Sequence, residues 1–234
     1  MKFPVIYVLI FATAASLLSC SGNSQTKSFM DQLIIVKSEE TVQVKGAGLK
    51  ITNNGCGREW GEFGERVYYR IQVRKGDSTW QMPAHSDPLY IEDLQLTVDK
   101  ANPWGREEDS VPPGGCRISI RRSPAFVLLE KYGWTPKKLL NQSEFELPEK
   151  LTGIPFYHYA NATGAIGYDL DQLAGSKVTV LKIQLTETGK HSGHHVWAHI
   201  VMDGNEALTG WLSSQDMAPG IAPLNLDKTQ LARW

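Results

Sequence analysis

The clearest structural signal in the chain is a strand-like run followed by a turn: Val67-Tyr68-Tyr69-Arg70-Ile71-Gln72-Val73-Arg74, then Lys75-Gly76-Asp77-Ser78. Residues at positions 67, 69, 71 and 73 are apolar or aromatic and alternate with mostly polar ones. This period of two is typical of a strand with one buried and one solvated face. The Gly-Asp turn then reverses the chain towards Trp80, so the stretch predicts a β-hairpin.

Further strand-like runs, separated by turn residues, lie on both sides of this hairpin. They are Leu33–Lys37, Thr41–Val44, Leu49–Asn53, Thr79–Met82, Leu89–Val98 and Arg117–Arg121. No helical period intervenes, and several short strands at this spacing favour an all-β sandwich.

Three segments of this half resemble the bacterial immunoglobulin-like domain found in surface proteins of Bacillota. They are Ile51–Asn54, Tyr69–Pro83 and Val111–Ile118. The resemblance implies an immunoglobulin-like sandwich over residues 31–122. This chain departs from that family by a longer insertion around Asn102–Ser110 and by two cysteines near the turns.

The pattern changes to α+β after Arg122. Ser123 can cap a helix whose first position is Pro124, and Gly133 ends it. A polar connection and a second helical segment, Ile154–Gly164, follow. The runs Lys177–Glu187, His194–Met202 and Ala207–Ser213 then predict strands of an antiparallel meander, with a hairpin turn at Asp203-Gly204-Asn205.

This second half is similar to an uncharacterised domain found at the carboxyl ends of Bacillota lipoproteins. The motifs that carry the similarity include Tyr132-Gly133-Trp134, Gly167-x-Asp169-Leu170 and Gly210-Trp211-Leu212. That family has no assigned function, so the resemblance implies a fold and a location only.

The amino terminus predicts export. Lys2 precedes an apolar run, Val5–Leu18, and the segment Leu17-Leu18-Ser19-Cys20 resembles a bacterial lipobox. The resemblance implies cleavage before Cys20, a diacylglycerol on its sulfur and a further acyl chain such as palmitate on the new amino terminus, which together anchor a protein stably. An ordinary signal peptide or a short membrane anchor is the alternative.

The predicted organisation has five parts: signal peptide 1–19, flexible tether 20–30, immunoglobulin-like sandwich 31–122, α+β domain of unknown function 123–225 and tail 226–234. The formal net charge is -1, and no dense cluster of Lys and Arg is present, which argues against nucleic acid as a partner. We expect an extracytoplasmic protein, anchored to the bacterial cell membrane by its lipid, that contacts an envelope protein or wall polymer.

Three groups of residues could carry chemistry. Cys56 and Cys116 form an even pair in an oxidising compartment once Cys20 is acylated, so a disulfide is expected. Two free buried thiols, or half of a metal site, are the alternatives.

The second group is histidine-rich, since four of the six histidines lie between His191 and His199. His195 and His199 would lie about 13 Å apart on one strand face at roughly 3.3 Å per residue, too far to share an ion. His191, His194 and His195 remain as candidate ligands at the turn, with His158 as a further candidate, for a metal-handling or metal-dependent enzymatic lipoprotein.

The third group is the insertion, where Trp104 and Arg106 precede three carboxylates, Glu107, Glu108 and Asp109. A solvated acidic loop or a binding loop accounts for it. Because no catalytic motif is present, we expect no cofactor and a non-catalytic binding or accessory role, with metal-dependent chemistry as the alternative.

Overall fold

The computed structural model describes residues 31–62, 64–83, 87–106, 109–189, 193–214 and 220–233. Across these residues the chain forms three antiparallel sheets and two α-helices. The strands are β1 (Gln32–Val36), β2 (Glu40–Val44), β3 (Leu49–Gly61), β4 (Gly64–Lys75), β5 (Ser78–Gln81), β6 (Leu89–Ile91), β7 (Leu94–Ala101), β8 (Cys116–Arg122), β9 (Pro136–Glu146), β10 (Lys177–Thr188), β11 (His195–Asp203), β12 (Glu206–Ser214) and β13 (Ile221–Pro223). The helices are α1 (Pro124–Lys131) and α2 (Phe156–Gly164), and 3-10 helices span Leu170–Leu173 and Lys228–Arg233.

Two four-stranded sheets make the amino-terminal half, with the orders β1-β8-β7-β6 and β2-β3-β4-β5. Residues from both sheets form one hydrophobic core. The predicted alternation along β4 is present, because Tyr69, Ile71 and Val73 are buried in that core. The first half of the chain is therefore held together by apolar residues at every second position of facing strands.

Consecutive strands pair within each of these sheets, except that β1 joins β8. In an immunoglobulin domain, Greek-key connections place strands from different parts of the sequence side by side in both sheets. The motifs of this half resemble that family, but its strand order is that of two meanders.

Two details of the strands differ from the sequence-based expectation. The run expected as one strand over residues 89–98 divides into β6 and β7, because Glu92 takes a left-handed conformation with φ of 53°. The strands β3 and β4 are also longer than expected. They pair from Leu49–Lys75 out to Gly61–Gly64, whereas β2 pairs with β3 only as far as Asn53, so the far part of the hairpin extends beyond β2.

One five-stranded sheet, β13-β12-β11-β10-β9, organises the carboxyl-terminal half. Its two faces belong to different hydrophobic clusters. On β10, Leu181, Ile183 and Leu185 pack in the cluster that contains residues of α1, whereas Val178 and Val180 pack in the cluster that contains residues of α2. The interior strand β10 is therefore apolar on both faces because a helix packs in the cluster on each side.

The strand β9 is where the expectation of a polar connection was wrong. It pairs along its length with β10, from Lys177–Glu146 to Leu185–Pro136. Most of its side chains are exposed, and only Pro136, Leu139 and Phe145 are partly buried. An edge strand with so few buried positions lacks the apolar alternation by which strands are recognised.

The helix α1 begins as expected at Ser123 with Pro124 in its first turn. The Ser123 side chain makes no capping hydrogen bond, and its buried hydroxyl has no partner among the described residues. The fixed φ of Pro124, rather than the hydroxyl, therefore supports the helix start.

The two halves are joined by the turn between β11 and β12. The Asn205 side-chain oxygen accepts a hydrogen bond from Gln95 and one from Thr97, and the Arg121 guanidinium donates to the Asn205 carbonyl at 2.6 Å. The Tyr90 hydroxyl donates to the Gly204 carbonyl at 3.1 Å. The hairpin predicted at residues 203–205 thus serves as the joint between the sheets.

Two further observations complete the fold. Leu226 and Leu231, from the segment expected as a tail, pack against the α1-side cluster. No helix within the described part of the chain is long and apolar enough to cross a membrane.

Candidate functional site

The loop between β7 and β8 is organised around a buried asparagine. Asn102 is 1% exposed, and its side-chain amide donates to the carbonyls of Arg106 and Val111 at 2.9 and 2.8 Å. Its side-chain oxygen accepts from the Arg106 N–H at 3.2 Å. These bonds fix the backbone of the described part of the insertion, where Trp104 lies exposed.

Two arginines lie close to the Trp104 ring. Trp104 is the aromatic residue of the loop, and 45% of its surface is exposed. The Arg106 guanidinium carbon lies 5.7 Å from the ring centroid, and that of Arg58 lies 5.6 Å from it. Both distances suit a cation–π interaction. We name these three residues the Trp104 stack.

Arg58 is the member of the stack that sequence reasoning missed. It lies on the extended part of β3, where it pairs in register with Val67 and makes an ion pair with Glu65 at 2.7 Å. No sequence motif links Arg58 to Trp104, because only the pairing of distant strands brings the hairpin beside the loop.

Of the three carboxylates in the predicted binding loop, the structure describes only Asp109. Glu107 and Glu108 lie outside the described residues. Asp109 pairs with Lys100 at 2.6 Å and accepts the Val111 N–H at 3.2 Å. The hydrogen bond from Lys100 is the main cause that lowers the Asp109 pKa. Asp109 therefore closes the base of the loop.

The two cysteines expected to pair do come together. Cys116 is buried at the start of β8, Cys56 is partly buried on β3, and both are free thiols. The Cys56 thiol also donates to the Gly115 carbonyl at 3.7 Å. The structure therefore shows proximity without a disulfide, and the bridge itself stays a prediction.

The environments of the two thiols differ. A hydrogen bond between the sulfurs lowers the Cys56 pKa and raises that of Cys116, and burial raises the Cys116 pKa further. Cys56 is consequently the sulfur that ionises first, with the Cys116 thiol as its donor. A thiolate is the nucleophile in thiol chemistry, so Cys56 is the reactive member of the pair.

The structure describes only part of the histidine turn. His191 lies outside the described residues, His194 is partly buried, and His195 is exposed where β11 begins opposite Thr188. Within the described ranges no three His, Cys, Asp or Glu side chains are placed to hold a metal ion. The metal-handling alternative therefore rests on the sequence alone.

A fourth histidine has a defined environment that sequence reasoning did not anticipate. The His199 ring stacks on Trp211 with centroids 5.6 Å apart, and Tyr159 stacks on Trp211 at 4.1 Å. His199 Nε2 is 2.8 Å from the Ser213 hydroxyl. Burial lowers the His199 pKa to about 4, so the ring is neutral at neutral pH.

Cys20, the predicted lipidation site, lies outside the described residues. The predicted cellular location of the protein therefore still rests on the amino-terminal sequence alone.

Comparison with known proteins identifies one domain. Residues 128–212 match the model of a family described as a domain of unknown function, DUF4830. The match begins within α1 and ends within β12, so it covers the second half of α1, all of α2, the strands β9 to β11 and most of β12. It confirms an uncharacterised domain in this half of the chain. No curated protein and no solved structure matches the chain.

Proposed function

We propose that this protein is a lipid-anchored cell-envelope protein that acts by binding a partner through the Trp104 stack. The anchor is supported by the sequence Leu17-Leu18-Ser19-Cys20, which resembles a lipobox. Two acyl chains or more provide stable attachment where one chain is marginal. The body of the protein then lies outside the membrane, within reach of an envelope protein or a wall polymer.

The observation that carries the binding role is that Arg58 and Arg106 both approach the Trp104 ring while 45% of Trp104 remains exposed. Tryptophan and arginine dominate the energetics of protein interfaces because each provides a large contact area together with polar contacts. A side chain that is already held in place loses little entropy on binding. The buried hydrogen bonds of Asn102 provide that preorganisation.

The Cys56–Cys116 bridge belongs to the same proposal. Outside the cytoplasm, the disulfide of a thiol–disulfide oxidoreductase can accept the two electrons of the two thiols, forming the bridge and releasing the oxidoreductase as a dithiol. Residues 56 and 116 then close a loop that includes β4 to β7. This would tie the Trp104 loop to the β3–β4 hairpin that carries Arg58.

The experiment is in-cell crosslinking of the full-length chain, with mass spectrometry and wall-polymer analysis of the captured material. We expect Cys20→Ala to release the protein from the membrane fraction. We expect Trp104→Ala to reduce capture at least tenfold, since truncating a central Trp costs about 2 kcal/mol or more. Tyr157→Ala is the matched control, because Tyr157 is an aromatic residue of the other domain that is 52% exposed.

The results separate the two parts of the proposal. Membrane retention of Cys20→Ala contradicts the lipid anchor. Equal capture by Trp104→Ala and the parent protein contradicts the binding surface, and turnover abolished by a single polar substitution contradicts a non-catalytic role.

A further inference from the structure

A groove lies between the two halves of the molecule, away from the Trp104 stack. It has a volume of about 580 Å³. Five consecutive residues of β9, Lys138 to Gln142, line one side, and four consecutive residues at β6, Leu89 to Glu92, line another. Ser78 and Trp80 of β5 and the side chain of Lys75 complete the lining.

All three strands that line the groove are edge strands. Within the described residues, β9 pairs only with β10, β6 only with β7 and β5 only with β4. An edge strand has backbone N–H and C=O groups that no neighbouring strand satisfies. Runs of consecutive residues line the groove on two sides, so it is bordered by backbone of two edges.

The edge of β9 has residues that discourage pairing at its start and a β-bulge beside the groove. Pro136, Lys137 and Lys138 are residue types that discourage strand pairing. Beyond them, Asn141 is opposite Lys182 and Leu139 is opposite Ile183, so Leu140 is an extra residue in a β-bulge. Leu140 is 42% exposed and offers an apolar contact.

The charges beside this edge favour an acidic partner. Lys75 is paired with Glu92. Lys137 and Lys138 are exposed and make no ion pair with another described residue. Both line an adjoining cavity of about 500 Å³ that shares Glu92 and Lys138 with the groove. Asp93, Glu130 and Arg122 also line this cavity, and because Glu130 pairs with Arg122 and Glu92 with Lys75, Lys137 and Lys138 outnumber the remaining carboxylate, Asp93.

We propose that this groove binds an extended acidic peptide segment of a partner protein, which adds as a strand to the edge of β9. Strand addition supplies affinity through backbone hydrogen bonds and specificity through alternate side chains. The segment places apolar side chains at Leu140 and Trp80 and carboxylates at Lys138. A second copy of this chain, pairing β9 with β9, is the competing occupant, and the oligomeric state tests for it below.

This inference goes beyond the Trp104 stack and is independent of it. Arg58 is opposite Val67 on β4, and Lys75 is eight residues further along that strand, roughly 26 Å at about 3.3 Å per residue. Loss of one binding surface therefore leaves the other intact.

The test begins with a phage-displayed library of random linear 12-residue peptides, selected on the purified full-length chain. We expect enriched peptides that alternate apolar and acidic residues. Lys138→Glu should weaken their binding roughly tenfold through charge repulsion. Lys150→Glu, an exposed lysine outside the groove with the same change of charge, is the matched control and should leave the affinity unchanged.

A scan of N-methylated versions of the best peptide tests the binding mode. Strand addition predicts a period of two, in which N-methylation at every second residue weakens binding roughly tenfold and is tolerated between them, because only alternate N–H groups face the edge. Hydrogen exchange should show slower exchange at residues 139–143 in the complex.

Three results would overturn the proposal. One is that no peptide binds the parent chain more strongly than it binds the Lys138→Glu variant. Another is affinity without a period of two in the N-methyl scan, which indicates recognition by side chains alone. The third is a dimer in light scattering, with residues 139–143 protected without peptide, which assigns the edge to a second copy.

Discussion

The Thr97 hydroxyl donates to the side-chain oxygen of Asn205 at 3.1 Å, although 108 residues separate the two along the chain. Thr97 lies on β7 of the amino-terminal half, and Asn205 is in the turn of the β11–β12 hairpin. Gln95, which is fully buried, donates to the same oxygen. One amide side chain therefore satisfies two buried polar groups of the other half of the chain.

Replacing Asn205 by alanine should destabilise the protein. Asn205→Ala leaves Gln95 and Thr97 without their acceptor, and an unsatisfied buried polar group costs about 1–3 kcal/mol. The measurement is the free energy of unfolding in urea. Asn225→Ala is the control, because it removes an exposed hydrogen bond to the Ala165 carbonyl and should cost less. Equal losses in the two variants would contradict the role of the joint.

Stability should fall in mild acid because of His199. The ordinary pKa of 6.5 falls to about 4 in the folded protein, so below pH 6.5 the unfolded chain binds the proton more tightly. The stabilising contribution is complete above pH 6.5 and is lost as the pH falls towards 4. Between pH 7.5 and 5 the loss is up to about 2 kcal/mol.

The comparison that isolates His199 uses His199→Gln, which retains a polar group for Ser213 but does not titrate. The difference in unfolding free energy between pH 7.5 and pH 5 should be smaller in this variant than in the parent protein. An equal pH dependence in both proteins would show that other groups cause the acid sensitivity.

The thiol of Cys56 should react faster than that of Cys116 under reducing conditions. Cys56 is partly exposed and its pKa is lowered by the hydrogen bond from Cys116, whereas Cys116 is buried. Cys116→Ala removes this donor, so the Cys56 pKa should rise and its alkylation at pH 7 should slow severalfold. Peptide-level mass spectrometry after timed exposure to iodoacetamide gives both rates.

Cys116→Ser provides the control for this experiment. Its hydroxyl can still donate to Cys56, so the alkylation rate of Cys56 should recover towards that of the parent protein. A Cys56 rate that Cys116→Ala does not change would show that exposure alone sets its reactivity.

Gly210 should not tolerate a side chain. A Cβ at this position would lie 2.4 Å from the His199 carbonyl oxygen and 2.7 Å from Ile200 Cδ1 across the β11–β12 pair. Gly210→Ala should therefore destabilise the protein by about 3 kcal/mol, because backbone must move to relieve the overlap. Gly153→Ala, where the added carbon meets open space, should have little effect on the thermal unfolding midpoint. A Gly210→Ala protein as stable as its parent would contradict this packing.

Local patterns predicted the elements whose side chains alternate. The run over residues 67–74 became part of β4, and the turn at residues 203–205 joins β11 to β12. The strand β9 was not predicted, because few of its residues are buried and its sequence shows no apolar alternation. It is a strand because it pairs with β10. Edge strands are defined by a neighbour, which local periodicity does not record.

The candidate sites also combine residues that the sequence indicated with residues that only the fold brings together. The chain alone indicated Trp104 and Arg106 as neighbours in a loop, and Cys56 and Cys116 as a pair by elimination. It could not indicate Arg58, because cation–π contact depends on the position of the β3–β4 hairpin relative to that loop.

The sequence alone predicted the strands of the central hairpins, the first helix and a lipid anchor at the amino terminus. These predictions depend on periodicity, turn residues and a terminal motif, each of which involves only a few consecutive residues. The tertiary structure alone decided the order of strands, the groove between β6 and β9, the Trp104 stack and the contact of Thr97 with Asn205. Each of these joins residues far apart in the chain. Their proximity follows from how whole sheets bury their apolar faces together, a property of the complete fold rather than of any segment.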